Sequence, residues 1–292
     1  MKRDIDLATP HWGDPFWNVQ RMVVEQASRR RTSPTTPGEI MTLLERAGTQ
    51  AADVLVTYLA TRESLLNQLA DYCRVREQVT AEHFSLLRSE EEAIEELHSV
   101  SEEAPQSYRV QLAGHHKSPK AVVGTIGAIT TLECMQAGMT VDIDPQSRAA
   151  LLSDKHIWVS PRRLDGALPS LFNPVALWEI KEYWGKTSGG SKMSDAIYEL
   201  HLVGLEVRAF EEQFGIHVNH YAIIDGLAQW TARKADFRRA IDLLYMGLLD
   251  ELIIGKEILI EWPRIIRENI TSAQVRGVSA APAQEAPGML FS

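Results

Sequence analysis

DGALPSLFNPVALWEIK, Asp165 to Lys181, is the segment around which the rest of the chain is organised. An acidic residue opens it, a turn containing Pro and Asn interrupts it, and an apolar run closes it. Side chains two apart on a strand share a face. Glu179 and Lys181 therefore project together, while Trp178 and Ile180 face the other way. Read as a hairpin with arms LDGAL and ALWEIKEYW, the segment folds Asp165 back beside the pair. Two carboxylates and one ammonium at a single point suit a hard divalent cation held through oxygen ligands. As a bare residue pattern, the same triplet also reads as a solvated charge pair on an edge strand.

The chain around it has 292 residues, 45% hydrophobic and 24% charged, which describes an ordinary globular protein of one large or two smaller domains. The opening MKRDIDLATPHWGDPFW has no apolar core of a signal peptide. No run of about 18 apolar residues occurs, so no conventional membrane span is expected. Cys73 and Cys134 make neither a disulfide framework nor a metal spacing, and a reducing cytoplasm is the expected compartment. A net charge of −9 argues against a nonspecific coat on nucleic acid but leaves room for a local basic patch. The glutamates of Glu90–Glu103 read as a solvated helix face.

Thr36, Pro37 and Glu39 form a capping box, and helical spacing follows from Ile40 to Leu59. Further helices are expected over Glu63–Arg76 and Thr80–Val100. Residues 1–117 thus read as a helical region for dimerisation or DNA contact. Ser118 and Pro119 open a helix that Gly138 closes. Strand-like pieces follow at Thr140–Ile143 and Lys155–Ser160, then the hairpin. A polar Gly185–Lys192 loop leads to a helix ending at Phe214, then a buried strand His217–Asp225. A helix from about Thr231 and short strands Glu251–Gly255 and Glu257–Trp262 complete an α/β core over 118–270, and 271–292 reads as a mobile tail.

With that order and those residues in hand, 118–262 resembles the PD-(D/E)XK nuclease superfamily, the restriction-endonuclease-like fold. Its core is a helix, a three-strand meander, a helix and a further strand. Its motif is an acid on the second strand and (Asp/Glu)-x-Lys on the third. Asp165 matches the first acid, Glu179 the second and Lys181 the lysine, while Leu164 stands where many members have Pro. The resemblance covers about half of the chain. It implies a central mixed sheet flanked by helices and Mg²⁺-dependent phosphodiester hydrolysis, with Mn²⁺ as a substitute. Asp165, Glu179 and the Ile180 carbonyl would hold the metal, and Lys181 would orient the attacking water. Some members add a glutamate from the first core helix, and Glu133 is placed to be that residue.

The expected partner is double-stranded DNA, cut by a homodimer of restriction or phage-defence type. Arg162, Arg163, Lys186, Ser188, Ser191, Lys192, Lys234 and Arg238 are the candidate DNA contacts. Small residues and lysines ahead of a helix N-terminus suit phosphate, although the same loop reads equally as a flexible linker. The alternative is a noncatalytic nucleic-acid-binding or scaffold protein that keeps the nuclease fold. His115, His116, His217 and His220 match no zinc spacing.

Overall fold

A computed structural model describes residues 1–3, 7, 9–103, 120–184 and 190–277. Helices α1 (Pro15–Arg30), α2 (Pro37–Glu45), α3 (Gln50–Leu59), α4 (Glu63–Phe84) and α5 (Glu90–Glu103) come first. The capping box holds: Thr36 Oγ1 accepts from Glu39 N, and Glu39 Oε2 accepts from Thr36 N. The expected single helix over 36–59 divides at Gly48, whose φ of +66° suits a helix stop. The other two expected helices merge and re-divide. Nothing between Arg76 and Thr80 breaks the turn, so α4 runs on to Phe84, and Ser89 with Glu92 caps α5 afresh.

Next come α6 (Ala121–Gln136), strands β1 (Asp142–Ile143), β2 (Ala150–Leu152), β3 (Ile157–Val159), β4 (Gly166–Leu168) and β5 (Ala176–Glu182), then α7 (Gly190–Phe214), β6 (Asn219–Asp225), α8 (Leu227–Ala232), α9 (Lys234–Tyr245), β7 (Glu251–Ile254) and α10 (Ile258–Val275). The main sheet has the order β1-β4-β5-β6-β7. β1–β4 and β4–β5 are antiparallel, and β5–β6 and β6–β7 are parallel. The expected strand Lys155–Ser160 lies instead in a separate two-stranded ribbon, β2 with β3. Glu257–Trp262, expected as a strand, is a 3₁₀ turn and the start of α10. There Ile258, Trp262, Ile265, Ile266 and Ile270 keep helical spacing, and the helix runs through Pro263 although that residue has no N–H to donate to the Leu259 carbonyl. The helix continues to Val275, so the expected tail boundary at 271 falls inside it, while 278–292 lie outside the described residues.

The sheet is the middle of three layers. α6 and α10 cover the face that carries Ala176, Trp178 and Ile180. α7 packs on the other face at Ala167 and Leu177, and α9 with α1, α2 and α4 covers Ala222, Ile224, Leu252 and Ile254. The N-terminal helices therefore share a core with the sheet. Met1 N–H and C=O pair with Leu252, and Lys2 bridges Glu251, which closes the β7 edge.

Close approach explains two glycines. A Cβ at Gly166 would stand 1.9 Å from Trp178 Cζ2, inside an indole that meets Trp262 edge to face. At Gly226, φ is +115° and a Cβ would lie 2.1 Å from Tyr183 O. Gly166→Ala is expected to destabilise by about 3 kcal/mol or more, read as a shift in the urea midpoint, because neither backbone nor indole has room to yield.

Candidate functional site

β4 and β5 bring the motif together. Gly166 pairs with Trp178, so Asp165 stands directly across from Glu179 at the N-terminal end of β4. Asp165 N–H donates to Trp178 O at 3.1 Å, and its Oδ2 accepts from Ile180 N at 2.7 Å. The side chain thus continues the ladder where the strand has ended. Backbone alternation turns the Ile180 carbonyl toward the same edge.

Glu179 and Lys181 share the face covered by α7, as the period of two requires. Glu179 is fully buried and Lys181 is 5% exposed. Lys181 Nζ donates to Glu179 Oε2 at 2.7 Å and to Glu199 Oε2 at 3.1 Å. Arg162 Nη1 lies 3.4 Å from Glu179 Oε2 and also pairs with Glu199. Burial holds the Asp165 carboxyl above its ordinary range; the Ile180 N–H, Lys181 and Arg162 pull it down, and Glu179 adds to the rise. His220, on β6 beside Leu177, is buried and donates from Nδ1 to Leu248 O at 3.0 Å. Burial keeps it neutral by lowering its pKa. Tyr183 follows on the same face of the chain as Lys181, its hydroxyl pushed up to about 12 by burial.

Glu199 was not expected here. It sits on α7 one turn before Val203 and one after Ala196, both buried. A carboxylate set in the apolar stripe of the helix after the motif strand was the available signal. Arg162, expected on a phosphate track, belongs to the cluster itself.

The remaining candidates fall elsewhere. Glu182 Oε2 accepts from Val122 N at 3.0 Å, which fixes the first turn of α6 near the C-terminal end of β5. Glu133 lies roughly three turns further along, on the opposite side of the sheet, and pairs with Arg267 of α10 at 2.5 Å. The fold does not bring it to Asp165. Arg163 is exposed and donates to Gln146 Oε1 at 3.0 Å. Lys192 is exposed at the start of α7. Lys234 lies over the Phe84 ring, and Arg238 pairs with Glu77 at 2.6 Å, so both are tied to α4. Lys186, Ser188 and the side chain of Ser191 lie outside the described residues. Asp225 is taken up by Arg88 and Gly226 N–H.

Among the described residues, no group of three His, Cys, Asp or Glu side chains forms a ready-made metal cage. The donor chemistry still fits a hard cation. Glu179 Oε1 is buried without a hydrogen-bond partner, Asp165 stands across from it, and the Ile180 carbonyl shares that edge. Mg²⁺ typically takes one or two carboxylates and fills its other positions with water or substrate oxygen.

No curated protein and no solved structure matches the chain. A family model described as Domain of unknown function (DUF7687) matches residues 88–269, a span that holds the whole sheet and every member of the cluster. That span is more than half of the 292 residues, and the chain belongs to the DUF7687 family.

Proposed function

We propose that this protein is a Mg²⁺-dependent DNA endonuclease with a restriction-endonuclease-like core, of restriction or phage-defence type. The observation that carries the reading is Asp165 across from Glu179, with a partnerless Glu179 oxygen and Lys181 on the same face. The element order supports it: α6, the antiparallel run β1-β4-β5, α7, then β6 parallel to β5. Asp165, Glu179 and the Ile180 carbonyl would hold Mg²⁺ or Mn²⁺. When bound, the cation supplies charge neutralisation at the phosphate and a more acidic water.

The chain's own part is positional. Lys181 Nζ, held by two carboxylates, orients the attacking water and offsets charge on the pentacovalent transition state. Water adds to phosphorus, the P–O bond to one deoxyribose oxygen breaks, and that oxygen takes a proton. A homodimer would place one such site on each strand of a duplex.

One observation favours the alternative of a noncatalytic scaffold. Arg162, Lys181, Glu179 and Glu199 already form a closed ion network, which is also what a purely structural cluster does. The test is incubation of the full chain with duplex DNA in Mg²⁺ and in EDTA. Cleavage is expected in Mg²⁺ only, and Lys181→Ala is expected to slow it by about 10²–10³-fold. Cutting that survives chelation or the substitution removes these residues from the mechanism. DNA binding without cleavage, unchanged by Asp165→Ala, supports the scaffold.

A further inference from the structure

Arg162 sits where an added cation would compete with it. Its backbone is pinned: the buried Ser160 donates from Oγ to Arg162 O at 2.7 Å, and Ala149 N donates to the same Oγ at 3.0 Å. The guanidinium reaches from that turn to Glu179 and Glu199, and its Nε donates to Arg163 O at 3.3 Å. Lys181 is strand-borne, 5% exposed and hydrogen-bonded to Glu179 at 2.7 Å, whereas the Arg162 side chain is 34% exposed.

The charge count matters. Three carboxylates (Asp165, Glu179, Glu199) face two fixed cations (Arg162, Lys181). A divalent ion at Asp165 and Glu179 turns that deficit into an excess, and like charges in a half-buried site repel strongly. One resident cation has to withdraw, and Arg162 is the one with solvent beside it. A phosphodiester is its natural new partner, because a guanidinium matches phosphate oxygens in a bidentate way.

We propose that Arg162 is the resident counter-cation of the Glu179 and Glu199 carboxylates, and that divalent-cation loading hands it over to the substrate phosphate. The inference rests on the metal-dependent reading above. Cation and DNA binding are then coupled through one side chain, each strengthening the other by the same factor.

Calorimetric titration of the full chain with Ca²⁺, alone and with a duplex oligonucleotide, tests this without reference to activity. Arg162→Gln is expected to bind Ca²⁺ about 5-fold tighter than the parent in the absence of DNA. The duplex should tighten Ca²⁺ binding by about 5-fold or more in the parent and far less in Arg162→Gln. Arg162→Lys, which keeps the charge, should resemble the parent. Arg163→Gln, which removes the same charge from the neighbouring exposed position, should leave Ca²⁺ affinity unchanged. Unaltered affinity in Arg162→Gln, with Ca²⁺ binding still lost in Asp165→Asn, overturns the counter-cation role and leaves the metal reading standing. No Asp165-dependent Ca²⁺ binding in any variant overturns both.

Discussion

Asp165→Asn is expected to reduce DNA hydrolysis by at least about 10³-fold while leaving the thermal midpoint at neutral pH level or raised. The two outcomes have one cause. The amide keeps an oxygen to accept from Ile180 N, so the hairpin is undisturbed, but it removes the charge that a cation requires. Replacing even a residue that only supports a metal ligand typically costs 10–100-fold in metal affinity or activity, and loss of a direct carboxylate ligand exceeds that. Burial raises the Asp165 pKa, so its charged form is disfavoured in the folded chain.

A raised carboxyl pKa contributes stability below the unfolded value, near 3.8, and loses it as pH rises through the folded value. The asparagine variant escapes that loss. Its advantage should therefore be absent at pH 3 and open above the ordinary carboxylate range. Cleavage rates and thermal scans at both pH values check the pair of outcomes. A variant that cuts at the parental rate, or is less stable at pH 7 than at pH 3 relative to the parent, contradicts the account.

The second large effect is structural. Arg88→Met is expected to lower the unfolding free energy by about 3–5 kcal/mol, on the order of 10 °C in Tm for a chain of this size. Asp225 is fully buried at the end of β6 and accepts from Arg88 N at 2.8 Å, Arg88 Nε at 2.7 Å and Gly226 N at 2.8 Å. Leu227 N–H returns a bond to Arg88 O at 2.8 Å, so one residue ties the α4–α5 turn to the end of the motif sheet. Without the guanidinium the carboxylate is left buried and short of a counter-charge. Burial already raises the Asp225 pKa against the pull of Arg88. Removing Arg88 raises it further, so the deficit should shrink as pH falls and the carboxyl protonates. The double variant Arg88→Met/Asp225→Asn should recover part of the loss, which denaturation in urea would reveal. An unchanged midpoint in Arg88→Met would show that the two backbone N–H groups suffice.

The alternation around Glu179 and Lys181, the capping box at Thr36 and the strand expected over 217–225, observed over 219–225, were legible because each depends on local spacing. The α/β class followed from the alternation of helical and strand-like pieces after residue 118, and the pairing of Asp165 with β5 from the hairpin. The strand expected at Glu257–Trp262 failed for a physical reason. Six residues, four of them Ile, Leu or Trp, fit either period, and only the groove beside α6 selects the helix that buries Trp262 against Thr130. Lys155–Ser160 likewise reads as a strand, and Ile157–Val159 within it is one, but nothing local says which partner it pairs with.

Residue type and a period of two fix the motif, its face of the strand and the chemistry of its donors. Packing across the whole chain is what brings Arg162 and Glu199 into the cluster, turns Glu133 to another layer and sets α1–α4 into the core of the sheet. Those outcomes turn on which surfaces meet across long stretches of chain. Burial and charge pairing between distant segments fix them, and the one local trace is the carboxylate of Glu199 set in the apolar stripe of α7.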